Sequence, residues 1–152
     1  MIDVGDKAPG FTLENDAGRV VRMQDWKGKT VVLYFYPKDD TSGCTTQACG
    51  FRDLWAEIEA TGAVVLGVSP DSATSHARFR DKYTLPFPLL ADPDHTLAEA
   101  YGVWGEKSMY GRTYHGIHRT TFIIGPDGTV RAVFPKVKPK GHAAEVLAAL
   151  QA

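Results

Sequence analysis

The run Val31-Val32-Leu33-Tyr34-Phe35-Tyr36 constrains this chain most. It is apolar throughout, rich in β-branched and aromatic residues, and stops at Pro37, so it reads as a strand buried on both faces. Beyond it lies Pro37-Lys38-Asp39-Asp40-Thr41-Ser42-Gly43-Cys44-Thr45-Thr46-Gln47-Ala48-Cys49, which holds both cysteines of the protein. Phe51, Leu54, Trp55 and Ile58 then recur at i, i+3, i+4 and i+7, the core face of an amphipathic helix. Cys44 therefore falls where a strand hands over to a helix N-terminus. In α/β proteins ligands bind in the crevice outside the carboxyl ends of the strands. A first helical turn offers unpaired N–H groups and the positive end of the dipole, which favour a thiolate, the reactive form of cysteine. Thr41 or Ser42 is a candidate cap that places Cys44 in that turn.

Other uses of the two cysteines have to be weighed. Free cysteine is often a small buried hydrophobe, and Cys49 taken singly fits that description as well as it fits a reactive one. Structural zinc needs more ligands than the C-x4-C pair supplies. His115 and His118 are the nearest candidates, but H-x2-H lies outside the usual spacing and no third cysteine exists. A C-x-x-C redox pair is absent, because four residues separate the sulfurs.

The chain has 152 residues, 43% hydrophobic and 23% charged, enough for one domain with a sizeable core. A net charge of −1 sets up no broad field toward nucleic acid or a membrane surface. No apolar run approaches a membrane span. The start, Met1-Ile2-Asp3-Val4-Gly5-Asp6, lacks a basic region followed by an apolar one, so it does not read as a secretory signal. The expected location is the cytoplasm, where paired cysteines are catalytic or metal-binding more often than permanent staples.

In chain order, Phe11 to Glu14 and Val20 to Met23 flank the turn cluster Asn15-Asp16-Ala17-Gly18 and predict an N-terminal hairpin. The cysteine helix is expected to end near Thr61-Gly62. Ala63 to Ser69 reads as a second buried, parallel strand. Ser69-Pro70 suggests a cap with proline at the first helical position, and His76, Phe79 and Tyr83 share a helix face. On that face His76 reads as a surface or packing residue and not a ligand. Leu89 to Asp92 reads as a short strand and His95 to Tyr101 as a short helix. Gly102 to Gly116 shows no periodicity and reads as a long, functional loop. Arg119 to Ile124 and Val130 to Phe134 flank the turn Pro126-Asp127-Gly128. Lys136, Lys138 and Lys140 read as a solvated surface loop, and Ala143, Val146, Leu147 and Leu150 as a closing helix. The fold class is α/β: a mixed central sheet flanked by helices, with an N-terminal β-hairpin.

Pro37-x3-Thr41-x2-Cys44 resembles the active-site motif of the peroxiredoxins. Gln47, three residues after the cysteine, occupies a position usually polar there. The second cysteine, five residues on, resembles the PrxQ subfamily, also called bacterioferritin comigratory protein. The likeness runs from Gly5-Asp6-Lys7-Ala8-Pro9 to the C-terminal helix, with one departure, Ser42, where many members carry proline.

The resemblance implies a thioredoxin-like fold over a single domain, residues 1–152. It also implies a thiol peroxidase that reduces hydrogen peroxide and organic hydroperoxides. Cys44 is then the nucleophile, Thr41 a hydroxyl beside it, and Pro37 a shield against water. Arg119, in the segment Gly116-Ile117-His118-Arg119-Thr120-Thr121-Phe122, is the guanidinium that holds thiolate and peroxide together. Cys49, the only other thiol, is the candidate for resolving the sulfenic acid. Thioredoxin or a related dithiol protein is the expected reductant, and a monomer the expected state. No cofactor is called for: neither C-x-x-C-H nor G-x-G-x-x-G occurs. Two other functions fit the same fold, a thiol–disulfide exchange protein and a redox sensor or holdase.

Overall fold

The computed structural model describes residues 1–152. Its strands are β1 (Thr12–Asn15), β2 (Val20–Arg22), β3 (Val31–Phe35), β4 (Val64–Ser69), β5 (Leu89–Ala91), β6 (Trp104–Met109), β7 (Arg112–Ile117), β8 (Thr120–Ile124) and β9 (Val130–Phe134). Its helices are α1 (Ser42–Asp53), α2 (Trp55–Ala60), α3 (Ala73–Tyr83), α4 (Thr96–Tyr101) and α5 (His142–Gln151). Seven strands form one mixed sheet in the order β2-β1-β5-β4-β3-β8-β9. β3 is buried at every position and pairs parallel with β4 on one side and antiparallel with β8 on the other.

Strand side chains alternate between faces, so β3 feeds two cores. Val31, Leu33 and Phe35 pack with Leu66, Tyr101 and Phe122 on one face. Val32 and Tyr34, with Tyr36 just beyond the strand, pack with Cys44, Phe51, Ile58 and Phe87 on the other. α1 therefore lies on the sheet through Cys44, Ala48 and Phe51, all buried. Gly67 on β4 makes room for that face, since a Cβ there would come within 2.9 Å of the Tyr34 ring and hydroxyl.

The expected hairpin, parallel strand pair and closing helix are all present. Three expectations need correction, and one alternative is settled. The cysteine helix is two pieces, because the backbone leaves helical geometry at Leu54 between α1 and α2. α3 is capped by Ser72, whose side chain accepts the Ser75 N–H at 3.2 Å; Ser69 ends β4 and caps nothing. Of the two alternatives for His76, packing holds: it is wholly buried, with both ring nitrogens facing oxygens. The supposed loop over Gly102 to Gly116 is a regular hairpin, β6 paired with β7 from Trp104↔Ile117 to Met109↔Arg112. Its connection is Tyr110-Gly111, both at positive φ (51° and 76°), the geometry of a type I′ hairpin turn. The strands were hidden by their polar, glycine-containing sequence, and the turn by a tyrosine where asparagine or glycine is usual.

Candidate active site

Cys44 is the third residue of α1, so it lies in the first turn as expected, and it is buried. β8 runs antiparallel to β3 with Thr120 opposite Phe35. The residue before β8 is therefore carried to the carboxyl end of β3, directly beside the start of α1. That residue is Arg119, which lies far away in sequence but donates from Nη2 to the Cys44 sulfur at 3.3 Å. Its Nη1 donates to Gln47 Oε1 at 2.6 Å. Cys44 and Gln47 are three apart and so share one face of α1. One guanidinium thus bridges both, held in a fixed plane. The close approach depends on Gly43: a Cβ there would meet Arg119 Nη2 and Pro139 Cγ, each at 3.2 Å.

Thr41 stands at the N-cap position of α1 but makes no capping bond to the helix. Its hydroxyl donates instead to the Lys38 carbonyl at 2.8 Å. Pro37, half-buried, follows Tyr36 at the end of β3. Four of the five residues singled out from the sequence thus lie around the start of α1, and Cys49 is the outlier. Cys49 is two turns along the helix from that start and opens on a groove lined by Gly50, Leu54, Pro139 and Ala143. Both cysteines are free thiols. Burial pushes the Cys49 thiol up, with Arg52 pulling the other way and Asp53 adding to the rise.

The sequence reading missed several side chains at the site's edge. Gln47 was noted only as polar; the structure makes it the partner of Arg119. Lys107 on β6 donates to the Ile117 carbonyl at 2.8 Å, and burial, then the Arg119 charge, hold its ammonium below the usual range. Asp39 and Asp71 join Tyr36, Ser75 and His76 in a polar network behind the Pro37–Thr41 loop. Apart from Tyr36–Asp39 and Lys107–Ile117, these contacts span 32 or more residues, and no local pattern announces them. Cys44 thus lies at a helix N-terminus with a guanidinium donating to its sulfur, a setting suited to a thiolate that attacks an oxygen and releases another with negative charge.

Residues 4–133 match the model of the AhpC/TSA family. The chain belongs to that family. Peroxiredoxin Bcp of Bacillus subtilis is 49% identical over 150 residues, covering 99% of this chain and 96% of its own. A solved structure of PrxQ from Xylella fastidiosa superposes with a TM-score of 0.94 at 38% identity, covering 99% of this chain and 96% of that one. A structure of the Xanthomonas campestris bacterioferritin comigratory protein, studied for its alkyl peroxide reduction activity, gives 0.88 at 43% identity over 93% and 90% of the two chains. The fold is the thioredoxin-like peroxiredoxin fold, and the chain is a peroxiredoxin of the Bcp/PrxQ group, a thiol peroxidase. None of this peroxiredoxin's helices is long and apolar enough to cross a membrane.

Proposed function

We propose that Cys44 is the peroxidatic thiolate and Cys49 the thiol that resolves it, in a single domain spanning residues 1–152. The observation that carries this is the Arg119 Nη2 contact to the Cys44 sulfur, 3.3 Å long and made at the first turn of a helix. The thiolate attacks one oxygen of a hydroperoxide ROOH. An S–O bond forms, the O–O bond breaks, and RO− leaves and takes up a proton as ROH. Arg119 donates toward the sulfur and the departing oxygen, where charge moves in the transition state. Thr41 accepts the hydroperoxide O–H, and Pro37, which has no N–H to hydrate, shields the sulfur. Cys44 is left as a sulfenic acid. Cys49 condenses with it, forming an S–S bond and releasing water. Thioredoxin or a related dithiol then reduces the disulfide by thiol–disulfide exchange and is itself oxidised.

The alkyl peroxide reduction of the Xanthomonas campestris protein supports organic hydroperoxides as substrates alongside hydrogen peroxide. All electrons pass through thiols, so the cycle needs no metal, flavin or haem. The near-neutral chain works in the cytoplasm as a monomer, without nucleic acid or membrane partners.

The test is peroxide consumption by purified protein coupled to a thioredoxin reducing system. The wild type turns over; Cys44→Ser is inactive, because a hydroxyl of far higher pKa cannot supply the nucleophile. Cys49→Ser consumes about one equivalent of peroxide and then stops. Activity retained in Cys44→Ser sinks the assignment. Turnover of protein disulfides without peroxide marks an exchange protein, and one slow oxidation without turnover marks a sensor.

A further inference from the structure

The loop from Pro37 to Thr41 carries two of the proposed working residues and has no regular secondary structure. A polar cluster behind it supplies the order. Asp39, 8% exposed, accepts from Tyr36 OH at Oδ1 (2.6 Å). Its Oδ2 faces Ser75 Oγ at 2.8 Å and His76 Nδ1 at 2.7 Å. His76, 0% exposed, turns its other nitrogen to the Leu90 carbonyl at 2.9 Å. Asp71, just after β4, accepts the Asp39 N–H at 2.8 Å and the Ser69 hydroxyl at 2.6 Å, both on Oδ2. No buried polar atom of the cluster lacks a partner, so it is a hydrogen-bonded network and not an open set of ligands.

One peptide unit links this network to the site. The N–H between Lys38 and Asp39 goes to Asp71, and the C=O of the same unit takes the Thr41 hydroxyl proton at 2.8 Å. The unit is planar and trans, so its N–H and C=O point in opposite directions, and fixing one aims the other. A hydroxyl has one proton and two lone pairs. With the proton committed to Lys38, the Thr41 oxygen can only accept, and a hydroperoxide O–H is a donor.

We propose that Asp71 is a positioning residue for peroxide reduction: by holding the Lys38–Asp39 peptide, with His76 bracing Asp39 from behind, it turns the lone pairs of Thr41 toward the substrate. The proposal rests on the reading of Thr41 as the acceptor of the peroxide proton. Attack on an electrophile without an O–H does not use that acceptor, so the two reactions separate the roles.

In a Cys49→Ser background, peroxide oxidation of Cys44 and its alkylation by iodoacetamide are each followed as single steps. Asp71→Ala slows oxidation on the order of 10- to 100-fold, the range for a misaimed group, and leaves alkylation within about twofold. Asp71→Asn, whose amide oxygen can still take the Asp39 N–H, recovers most of the rate. Combined with Thr41→Val, Asp71→Ala adds no further loss, since the group it aims is gone. Oxidation at the parent rate in Asp71→Ala overturns the proposal. So do additive losses, or alkylation falling in step with oxidation. If Asp71→Ala does not fold, Ser69→Ala, which removes the hydroxyl that fixes Asp71 Oδ2, takes its place, and oxidation at the parent rate in that variant overturns the proposal. A parent rate in Thr41→Val alone refutes instead the reading of Thr41.

Discussion

At the scale of single residues, the site is an argument about which charges face one sulfur. Arg119 is the only guanidinium bonded to Cys44. Replacing it with Met removes that charge and donor, so both peroxide oxidation and iodoacetamide alkylation at neutral pH should slow. Oxidation should slow by about 100-fold, the usual loss for a donor at a developing oxyanion. Unchanged rates for both would show that the contact plays no part. Cys49 gives a second handle. Burial raises its ionisation above the ordinary thiol value of 9.0, and the thiolate is the attacking form. Disulfide formation after a peroxide pulse should therefore accelerate as pH rises through the neutral range, which stopped-flow fluorescence can follow. A rate independent of pH would mean that a step other than thiolate attack limits resolution. Cys44 and Thr41 were legible as neighbours at the start of a helix because they stand in one contiguous motif. Arg119 was legible only through its resemblance-bearing segment, since nothing about an arginine before a strand says that β8 will carry it to β3. Asp71 and Gln47 were not legible as partners, because their contacts depend on sheet order.

At the scale of elements, α5 is tied to α1 through His142. This ring is buried against Phe51 and Phe134 and bonded to Thr121 Oγ1 through Nε2 at 2.8 Å. Burial pushes its pKa below the ordinary 6.5, opposed by Glu145 and aided by the Arg119 charge. The unfolded chain thus binds more protons than the folded one between the two values. Stability is full above about pH 6.5 and is lost as pH falls toward the folded value, by at most about 1.4 kcal/mol per pH unit from one group. Urea midpoints measured from about pH 7.5 to 5.5 should fall more steeply for the wild type than for His142→Gln; equal slopes would assign the loss to other groups. The β6–β7 hairpin makes a different point. Tyr110 holds φ +51° at a fully exposed tip, a conformation costing roughly 1 kcal/mol for residues other than glycine and asparagine. Tyr110→Asn should stabilise the hairpin by about that amount, read as slower amide exchange in β6 and β7. Buried strands such as β3 were legible from hydrophobicity alone. This hairpin was not, because its order comes from cross-strand pairing and a turn whose signature residue is missing.

At the scale of the whole molecule, the reduced fold and the proposed disulfide exclude each other. Cys44 and Cys49 lie on the continuous helix α1, Ser42–Asp53. Five residues of α-helix separate Cα atoms by roughly 8.7 Å and turn the side chains about 140° apart. A disulfide needs Cα atoms within about 7 Å and converging Cβ vectors. The first turns of α1 must therefore unwind for Cys49 to reach the sulfenic acid. How far they unwind is set by burial. Each lost helical hydrogen bond costs about 1 kcal/mol net, whereas freeing Phe51, wholly buried against Tyr34, Phe87 and His142, costs a further 2 to 3 kcal/mol or so. Gly50, immediately before it, weakens the helix and accepts most backbone angles. The break should thus run from Cys44 to Gly50, with helix resuming at Phe51. Unwinding also withdraws Gly50 from Ala143, where the packing of α1 on α5 is close. The motion therefore reaches beyond the active site. Amide exchange in the oxidised form should be fast at residues 44 to 50, unchanged from 51 onward, and modestly raised at the start of α5. Equal protection of residues 44 to 50 in both states, with a Cys44–Cys49 disulfide established by mass spectrometry, would refute this coupling. Loss of protection through Phe51 would show that burial does not set the boundary.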